Sequence, residues 1–208
     1  MTKIKICGLT RPEDIETVNE YLPDYIGFIF AESKRQVDDS KARELKLKLD
    51  PRISAVGVFV NDDISRIIKL CRLGIIDLIQ LHGDEDDGYI RELKQKIPNP
   101  VIKAIRIKNR ESFRTNSCGN SDFLLFDTYH EELYGGSGET FDWSAVGRTK
   151  KPYFLAGGIH NDNVRQAIAQ LHPYAVDISS GVEKNGYKDS EMIREIITNI
   201  REYENGRK

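Results

Sequence analysis

The segment PYFLAGGIHNDNVRQAIAQLHPYAVDISSG, residues 152–181, contains two short apolar runs separated by a stretch with helical periodicity. The runs PYFLAGG (152–158) and YAVDIS (174–179) are continuous rather than alternating, which is typical of parallel strands covered on both faces. Between them, residues 161–171 predict a helix. The segment is therefore a strand–helix–strand unit.

Six similar apolar runs precede this unit along the chain of 208 residues, and each predicts a strand: 3–7, 25–30, 53–60, 75–81, 101–107 and 122–128. Five further segments have helical periodicity and end signals: 12–22, 39–49, 62–72, 86–97 and 189–203. The segment after residue 108 predicts a helix only weakly, because Ser, Asn and Gly crowd residues 115–121.

Eight strands alternating with helices can form either a doubly wound sheet or a closed barrel, and periodicity alone does not separate them. Both are α/β folds, and the regular count of eight strands favours the closed barrel, a (β/α)8 TIM barrel with parallel strands. No linker or low-complexity block interrupts the sequence, so we expect one barrel domain over residues 1–208.

The composition excludes several classes of protein. An apolar fraction of 39% and a charged fraction of 31% are typical of a globular protein, and a net charge of -2 provides no field to attract nucleic acid. No run approaches the roughly 18 apolar residues that cross a bilayer, and the first residues lack the segments of a signal peptide. We therefore expect a cytoplasmic protein without a membrane or nucleic-acid partner.

The three cysteines, Cys7, Cys71 and Cys118, are an odd number and lack CxxC spacing. This pattern predicts neither a disulfide framework nor a structural zinc site, and the thiols are expected to be reduced.

In a barrel, the residues that follow each strand converge on one rim, where barrel enzymes place their active sites. The polar and glycine residues at the predicted strand ends are Cys7-Gly8, Ser33-Lys34-Arg35, Asn61, Gln80, His82-Gly83, Lys103, Asp127-Thr128, Gly157-Gly158 and Ser179-Ser180-Gly181.

Small residues at the last two strand ends predict a phosphate site. Gly157 and Gly158 follow the seventh strand, and Ser180 and Gly181 follow the eighth, where exposed backbone N–H groups can bind an anion. Each pair alone could equally be a tight turn that needs glycine. Their occurrence at both strand ends favours a phosphorylated small molecule as partner.

Two of the rim residues are suited to proton transfer. Cys7 would lie beside helix N-termini that favour a thiolate, although a buried inert thiol is the alternative. Asp127 follows the apolar run FLLF, where desolvation could keep a carboxyl protonated as a general acid; the alternative is a helix or turn cap. Both roles require a shifted pKa, downwards for the thiol and upwards for the acid.

Three further side chains have both a functional and a structural interpretation. Arg35 could bind a substrate carboxylate or form a solvated pair with Lys34. His82 could bind substrate, but it has no partners at metal-ligand spacing, so no metal is predicted. Lys103 could form a Schiff base, as in a lyase, or pair with a carboxylate. 

The segment GGSGET, residues 135–140, is rich in glycine but lacks the Lys-Ser or Lys-Thr that closes a P-loop. It is interpreted as a flap over the site or as a plain surface loop.

Taken together, eight motifs resemble the phosphoribosylanthranilate isomerase family, and the resemblance extends from Lys5 to about Asp189. They are KICGLT (5–10), GFIF (27–30), VGVFV (56–60), QLHGDE (80–85), FDT (126–128), YGGSGETFDW (134–143), LAGGI (155–159) and PYAVDISSGVE (173–183).

The resemblance implies a (β/α)8 barrel that catalyses an Amadori rearrangement in tryptophan biosynthesis, without a metal or organic cofactor. It also implies Cys7 as general base, Asp127 as general acid and Arg35 as the ligand of the anthranilate carboxylate. The remaining substrate-binding residues would be Gln80, His82, Gly157, Gly158, Ser180 and Gly181, in a monomer or homodimer.

The sequence departs from the family pattern at three places. The loop with Arg35 is one residue shorter, lacks the usual Pro and has Gln36 where an aromatic residue is common. Glu139 stands where Lys is frequent, and Asn161 where Pro is frequent. The assignment of Arg35 therefore depends on a loop that differs from the family pattern.

Overall fold

The eight apolar runs form the strands of a closed parallel barrel, in the order β1 to β8 with β8 pairing back onto β1. This computed structural model describes residues 1–108, 119–128, 143–147 and 149–206. The strands are β1 (Lys3–Cys7), β2 (Tyr25–Ile29), β3 (Ser54–Phe59), β4 (Leu78–Leu81), β5 (Val101–Ile107), β6 (Phe123–Thr128), β7 (Tyr153–Leu155) and β8 (Ala175–Ile178). The predicted TIM barrel is confirmed.

Within the described residues, six α-helices lie between or after these strands: α1 (Pro12–Tyr21), α2 (Asp39–Lys48), α3 (Ile64–Arg72), α4 (Asp87–Lys96), α5 (Val164–Leu171) and α6 (Ser190–Asn205). Four begin after an aspartate whose carboxylate accepts a backbone N–H of the first turn: Asp38, Asp63, Asp86 and Asp189. The weakly predicted helix after residue 108 and the segment 135–140 lie outside the described residues, as does Cys118.

Two strands and one helix are shorter than predicted by three residues or more. β4 begins at Leu78 because Ile75 and Ile76, although buried, belong to the turn before it. β7 ends at Leu155 because the following Gly157 and Gly158 adopt φ of +82° and +61°. Residues 161–163 form a turn, so the helix begins at Val164.

The strands present alternate side chains to the barrel interior and to the surrounding helices. One apolar cluster fills the interior and a larger one lies under the helices. The interior cluster includes Leu78, Leu125 and Ala175, so Gln80, Asp127 and Asp177, two residues further along their strands, also face inwards. On β1, Ile4 and Ile6 belong to the outer cluster, which directs Lys5 and Cys7 to the interior.

Aromatic rings fill the amino-terminal end of the interior. Tyr25, Phe123 and Tyr174 pack around Phe154, with ring centroids 5.5–5.7 Å from it, and the hydroxyls of Tyr25 and Tyr174 lie 2.9 Å apart. This end is closed by apolar packing. The polar interior residues are thereby confined to the opposite, carboxyl end of the strands.

Lys103 faces outwards rather than into the barrel. It lies on the same face of β5 as Ile105 and Ile107 of the outer cluster, whereas Ile102 and Ala104 belong to the interior cluster. Its buried Nζ lies 2.8 Å from Glu85 Oε2 and donates to the carbonyl of Gly83 at 2.7 Å. The structure therefore favours the ion-pair interpretation of Lys103 over a Schiff-base nucleophile.

We expect Lys103→Met to lower the free energy of unfolding by about 3–5 kcal/mol, because the buried Glu85 carboxylate would lose its cation. The matched control is Lys3→Met, which breaks a 2.6 Å pair with Asp24 whose side chains are 46% and 30% exposed. That change should cost less than about 1 kcal/mol. Urea denaturation followed by circular dichroism measures both, and equal losses would contradict the structural role of Lys103.

Candidate active site

Cys7 is the last residue of β1, and its thiol packs against the neighbouring strand. A Cβ atom on Gly27 would lie 2.5 Å from Cys7 Sγ, so a glycine is needed there to make room for the sulfur. The Cys7 carbonyl accepts a 3.0 Å hydrogen bond from the Ser179 hydroxyl after β8. The thiol is thus held in a buried position at the carboxyl end of the barrel.

The electrostatic surroundings of Cys7 differ from the expected ones. Burial raises the pKa of the thiol above its ordinary value, and the charge of Asp177 acts in the same direction. The ammonium groups of Lys5 and Lys188 oppose this shift. The two buried lysines therefore favour the thiolate.

Asp127 lies near the end of β6, opposite a histidine from β4. Its Oδ1 accepts the N–H of Thr128 at 2.8 Å, and its Oδ2 lies 3.2 Å from His82 Nε2. That contact lacks the angle of a hydrogen bond, and Nε2 has no hydrogen-bond partner among the described residues. The carboxyl group therefore lies beside a ring nitrogen that no other described group binds.

Gln80 determines which nitrogen of His82 carries the proton. The Gln80 amide Nε2 lies 2.8 Å from His82 Nδ1. An amide nitrogen only donates, so Nδ1 accepts and the proton of the neutral ring is on Nε2, facing Asp127. Gln80, His82 and Asp127 thus form one chain of contacts.

Arg35 is buried and lies above Gly8, next to the end of β1. A Cβ on Gly8 would be 2.6 Å from Arg35 Cδ, and the guanidinium binds Glu183 through Nε at 2.5 Å and Nη2 at 2.8 Å. Lys34 is exposed. The solvated Lys34–Arg35 pair considered from the sequence is therefore wrong for Arg35, which has a carboxylate partner from the far end of the chain.

Glu183 also binds Lys188, so one carboxylate joins two cations. Lys188 Nζ lies 2.6 Å from Glu183 Oε1 and donates to the Ser179 carbonyl at 2.9 Å. Both residues belong to a hairpin of β9 (Glu183–Lys184) and β10 (Tyr187–Lys188), which follows the eighth strand. The hairpin after β8 therefore fixes Arg35, which follows β2, across the end of β1.

The two glycine-containing loops of the predicted phosphate site are in contact. A Cβ on Gly181 would lie 2.0 Å from the carbonyl oxygen of Ile159, in the loop after β7. Within the described ranges, the N–H groups of Gly157 and Gly158 have no protein acceptor. Ser180 begins a single 3-10 turn, Ser180–Val182, whose first N–H groups likewise lack an acceptor within the turn. These backbone N–H groups are therefore not used by hydrogen bonds within the described fold.

A family model described as N-(5'phosphoribosyl)anthranilate (PRA) isomerase matches residues 4–199. The chain belongs to this family. It is accordingly an isomerase, as the resemblance of its motifs predicted.

Curated PRA isomerases are similar to the chain over almost their full length. The isomerase of Endomicrobium trichonymphae is 49% identical, covering 97% of this chain and 99% of the relative. That of Lachnoclostridium phytofermentans is 44% identical, with 94% and 95% covered.

Solved PRA isomerases have the same fold. One from Thermotoga maritima is 35% identical with a TM-score of 0.85, covering 97% of this chain and 100% of its own. Another, 32% identical with a TM-score of 0.82 and the same coverage, is in complex with reduced 1-(o-carboxyphenylamino)-1-deoxyribulose 5-phosphate. A further structure shows monomers generated from the dimeric Thermotoga maritima isomerase.

The described parts of this PRA isomerase chain contain no cluster of three or more metal-ligating side chains. No described helix has the length and apolar character that a membrane span requires.

Four residues near the site were missed by sequence analysis. Lys5 and Asp177 each interrupt an apolar strand on its inner face, and a charge in that pattern is a usable signal for a buried pair. Glu183 and Lys188 lie in a polar stretch after the last strand, where nothing in the sequence distinguishes them from solvated residues.

We expect Gly181→Ala in this PRA isomerase to lower the free energy of unfolding by about 1–3 kcal/mol, because the added methyl group overlaps the Ile159 carbonyl. The control is Gly206→Ala, where a Cβ has its nearest neighbour at 3.5 Å and φ is -74°. Thermal unfolding followed by calorimetry compares the two. A Gly181 variant as stable as the control would show that the two loops are not packed as described.

Proposed function

We propose that this isomerase converts N-(5'-phosphoribosyl)anthranilate into 1-(2-carboxyphenylamino)-1-deoxyribulose 5-phosphate, with Asp127 as general acid and Cys7 as general base. The observation that supports it is that both side chains face inwards at the carboxyl end of one barrel. An Amadori rearrangement needs one group to protonate the sugar and another to remove a proton from it.

The first step opens the ribose ring. Asp127 donates its proton to the ring oxygen, the bond from C1 to that oxygen breaks, and the anthranilate nitrogen forms a protonated Schiff base with C1. Asp127 is left as a carboxylate, 3.2 Å from the ring nitrogen of His82 that carries the proton. Because that N–H can approach the new negative charge, Gln80 and His82 assist the proton transfer.

The second step moves the proton at C2. The Cys7 thiolate removes it, and the electron pair flows to the Schiff-base nitrogen, which gives an enolamine. Loss of the proton on the C2 hydroxyl and protonation of C1 then yield the ketone. The positively charged nitrogen of the substrate is the electron sink, so the proposed sequence requires proton transfers alone.

The substrate phosphate is proposed to bind the backbone N–H groups around Gly157, Gly158, Ser180 and Gly181. These groups have no acceptor in the described fold, and both glycines after β7 have positive φ. Successive N–H groups in such a conformation form a concave anion site. An anchored phosphate would fix the ribose between β1 and β6.

Arg35 is proposed to bind the anthranilate carboxylate. Glu183 occupies the edge of the guanidinium formed by Nε and Nη2. The other edge, formed by the two Nη atoms, retains the paired donors that a planar carboxylate requires. Glu183 therefore orients Arg35 without using its whole hydrogen-bonding capacity.

We also propose that residues 1–208 form a single domain, present as a monomer or homodimer in the cytoplasm, without a nucleic-acid partner. The continuous barrel supports the first point, and the net charge of -2 supports the last.

The test is a fluorescence assay with substrate prepared in situ from anthranilate and phosphoribosyl pyrophosphate. Wild-type protein should accelerate the loss of substrate fluorescence, and Cys7→Ala and Asp127→Asn should each lower kcat by about 10² or more. Cys71→Ala is the control, since this thiol is buried on α3 and burial raises its pKa to about 12. Unchanged decay with wild-type protein would refute the activity, and near-normal turnover of a variant would refute that residue's role.

A further inference from the structure

A buried lysine lies inside the barrel, directly below the thiol. Lys5 precedes Cys7 by two residues on β1, so both side chains project to the interior. Lys5 is 0% exposed, and its Nζ lies 2.8 Å from Asp177 Oδ2. The two residues are direct partners in the pairing of β1 with β8. A charge at such a depth is retained only when it is paired.

The Lys5–Asp177 ion pair does not use all the hydrogen-bonding capacity of either side chain. Asp177 Oδ1 has no hydrogen-bond partner among the described residues. The ammonium of Lys5 has three donors, of which one is directed to Asp177. The next interior group along β1 is the thiol of Cys7, and the charge of each group influences the pKa of the other.

We propose that Lys5, held in place by Asp177, stabilises the thiolate form of Cys7 and is thereby a positioning residue for the isomerisation. The inference rests on the proposed function, in which Cys7 is the base. When the thiol ionises, its proton passes to water at the mouth of the barrel. Lys5 keeps its own proton and provides the balancing charge.

Four charged groups face Cys7: Lys5 on β1, Asp177 on β8, Lys188 on β10 and Arg35 in the loop after β2. Burial is the largest influence and raises the pKa of the thiol, while Lys5 is the strongest of the groups that lower it. Lys188 and Arg35 share the carboxylate of Glu183. Lys5 is the cation on the same strand and the same face as the sulfur.

The pKa of Lys5 itself is consistent with a permanent charge. Burial alone would lower it, but Asp177 and Cys7 raise it above the ordinary value. The ion pair with Asp177 therefore favours the charged form of Lys5, whose field acts on Cys7.

The test is a titration of the Cys7 thiol in the variant Lys5→Met/Asp177→Asn, which removes both charges and leaves no buried charge alone. The rate of alkylation by iodoacetamide is measured against pH, with the Cys7 peptide quantified by mass spectrometry. The midpoint should rise by about one pH unit or more, so that alkylation at neutral pH falls about tenfold while the plateau at high pH is unchanged. An unchanged or lowered midpoint would overturn the proposal.

The matched control is Lys103→Met/Glu85→Gln, which removes another buried lysine–carboxylate pair. Because that pair faces the helices rather than the interior, the Cys7 midpoint should stay at its wild-type value. An equal rise in the control would mean that loosening of the barrel, rather than the charge of Lys5, changes the thiol.

A second measurement needs no change at Lys5 and remains decisive if the double variant does not fold. In wild-type protein labelled with 15N-lysine, the Lys5 side-chain signal should shift at the pH where Cys7 titrates. The shift should vanish in Cys7→Ser. Absence of any step in the wild type would overturn the proposal.

The pH dependence of kcat/KM distinguishes the proposed role of Lys5 from the proposed role of Cys7 as the base. If Cys7 is the base, the rise of kcat/KM with pH in Lys5→Met/Asp177→Asn should move to higher pH by the same amount as the thiol midpoint. A shifted thiol with an unshifted kcat/KM would refute Cys7 as base while leaving its interaction with Lys5 intact. An unshifted thiol together with an inactive Cys7→Ala variant would refute only the role of Lys5.

Discussion

The interior of an eight-stranded barrel is filled by side chains, so every charge placed there must be balanced by another nearby. This protein places Lys5 in that interior and pairs it with Asp177 on the adjacent strand. The aromatic layer around Phe154 closes the opposite end. The thiol of Cys7 lies in the same environment, where burial raises its pKa and the nearby lysines oppose that shift.

The rim is organised by a second set of ion pairs that join distant parts of the chain. Glu183 holds Arg35 across 148 residues of sequence, and Lys188 holds Glu183 and the carbonyl of Ser179. Ser179 in turn donates to the carbonyl of Cys7. The proposed carboxylate ligand, the proposed phosphate loop and the proposed base are thus connected by direct hydrogen bonds, and movement of one is resisted by the others.

Much of the fold could be predicted because the strands are continuous apolar runs; β1 and β5 have the predicted ends. β4 and β7 were predicted too long because periodicity does not distinguish a strand from a buried turn such as Ile75-Ile76, nor from the glycine turn at 157–158. The proximity of Gln80, His82 and Asp127 at one rim was predicted from their positions at strand ends. An ion pair between residues far apart in the sequence, such as Arg35–Glu183, leaves no periodic signal in the sequence. The face of β5 on which Lys103 lies could not be assigned until its neighbours in the structure were known.

The most direct test of the account compares two titrations of the unmodified enzyme. The first is the pH dependence of the alkylation rate of Cys7 in the free protein, and the second is the pH dependence of kcat/KM, which reports the base of the free enzyme. Both should rise as the thiol loses its proton, with the same midpoint, because the thiolate is the active form. Midpoints separated by more than about one pH unit would contradict Cys7 as the base.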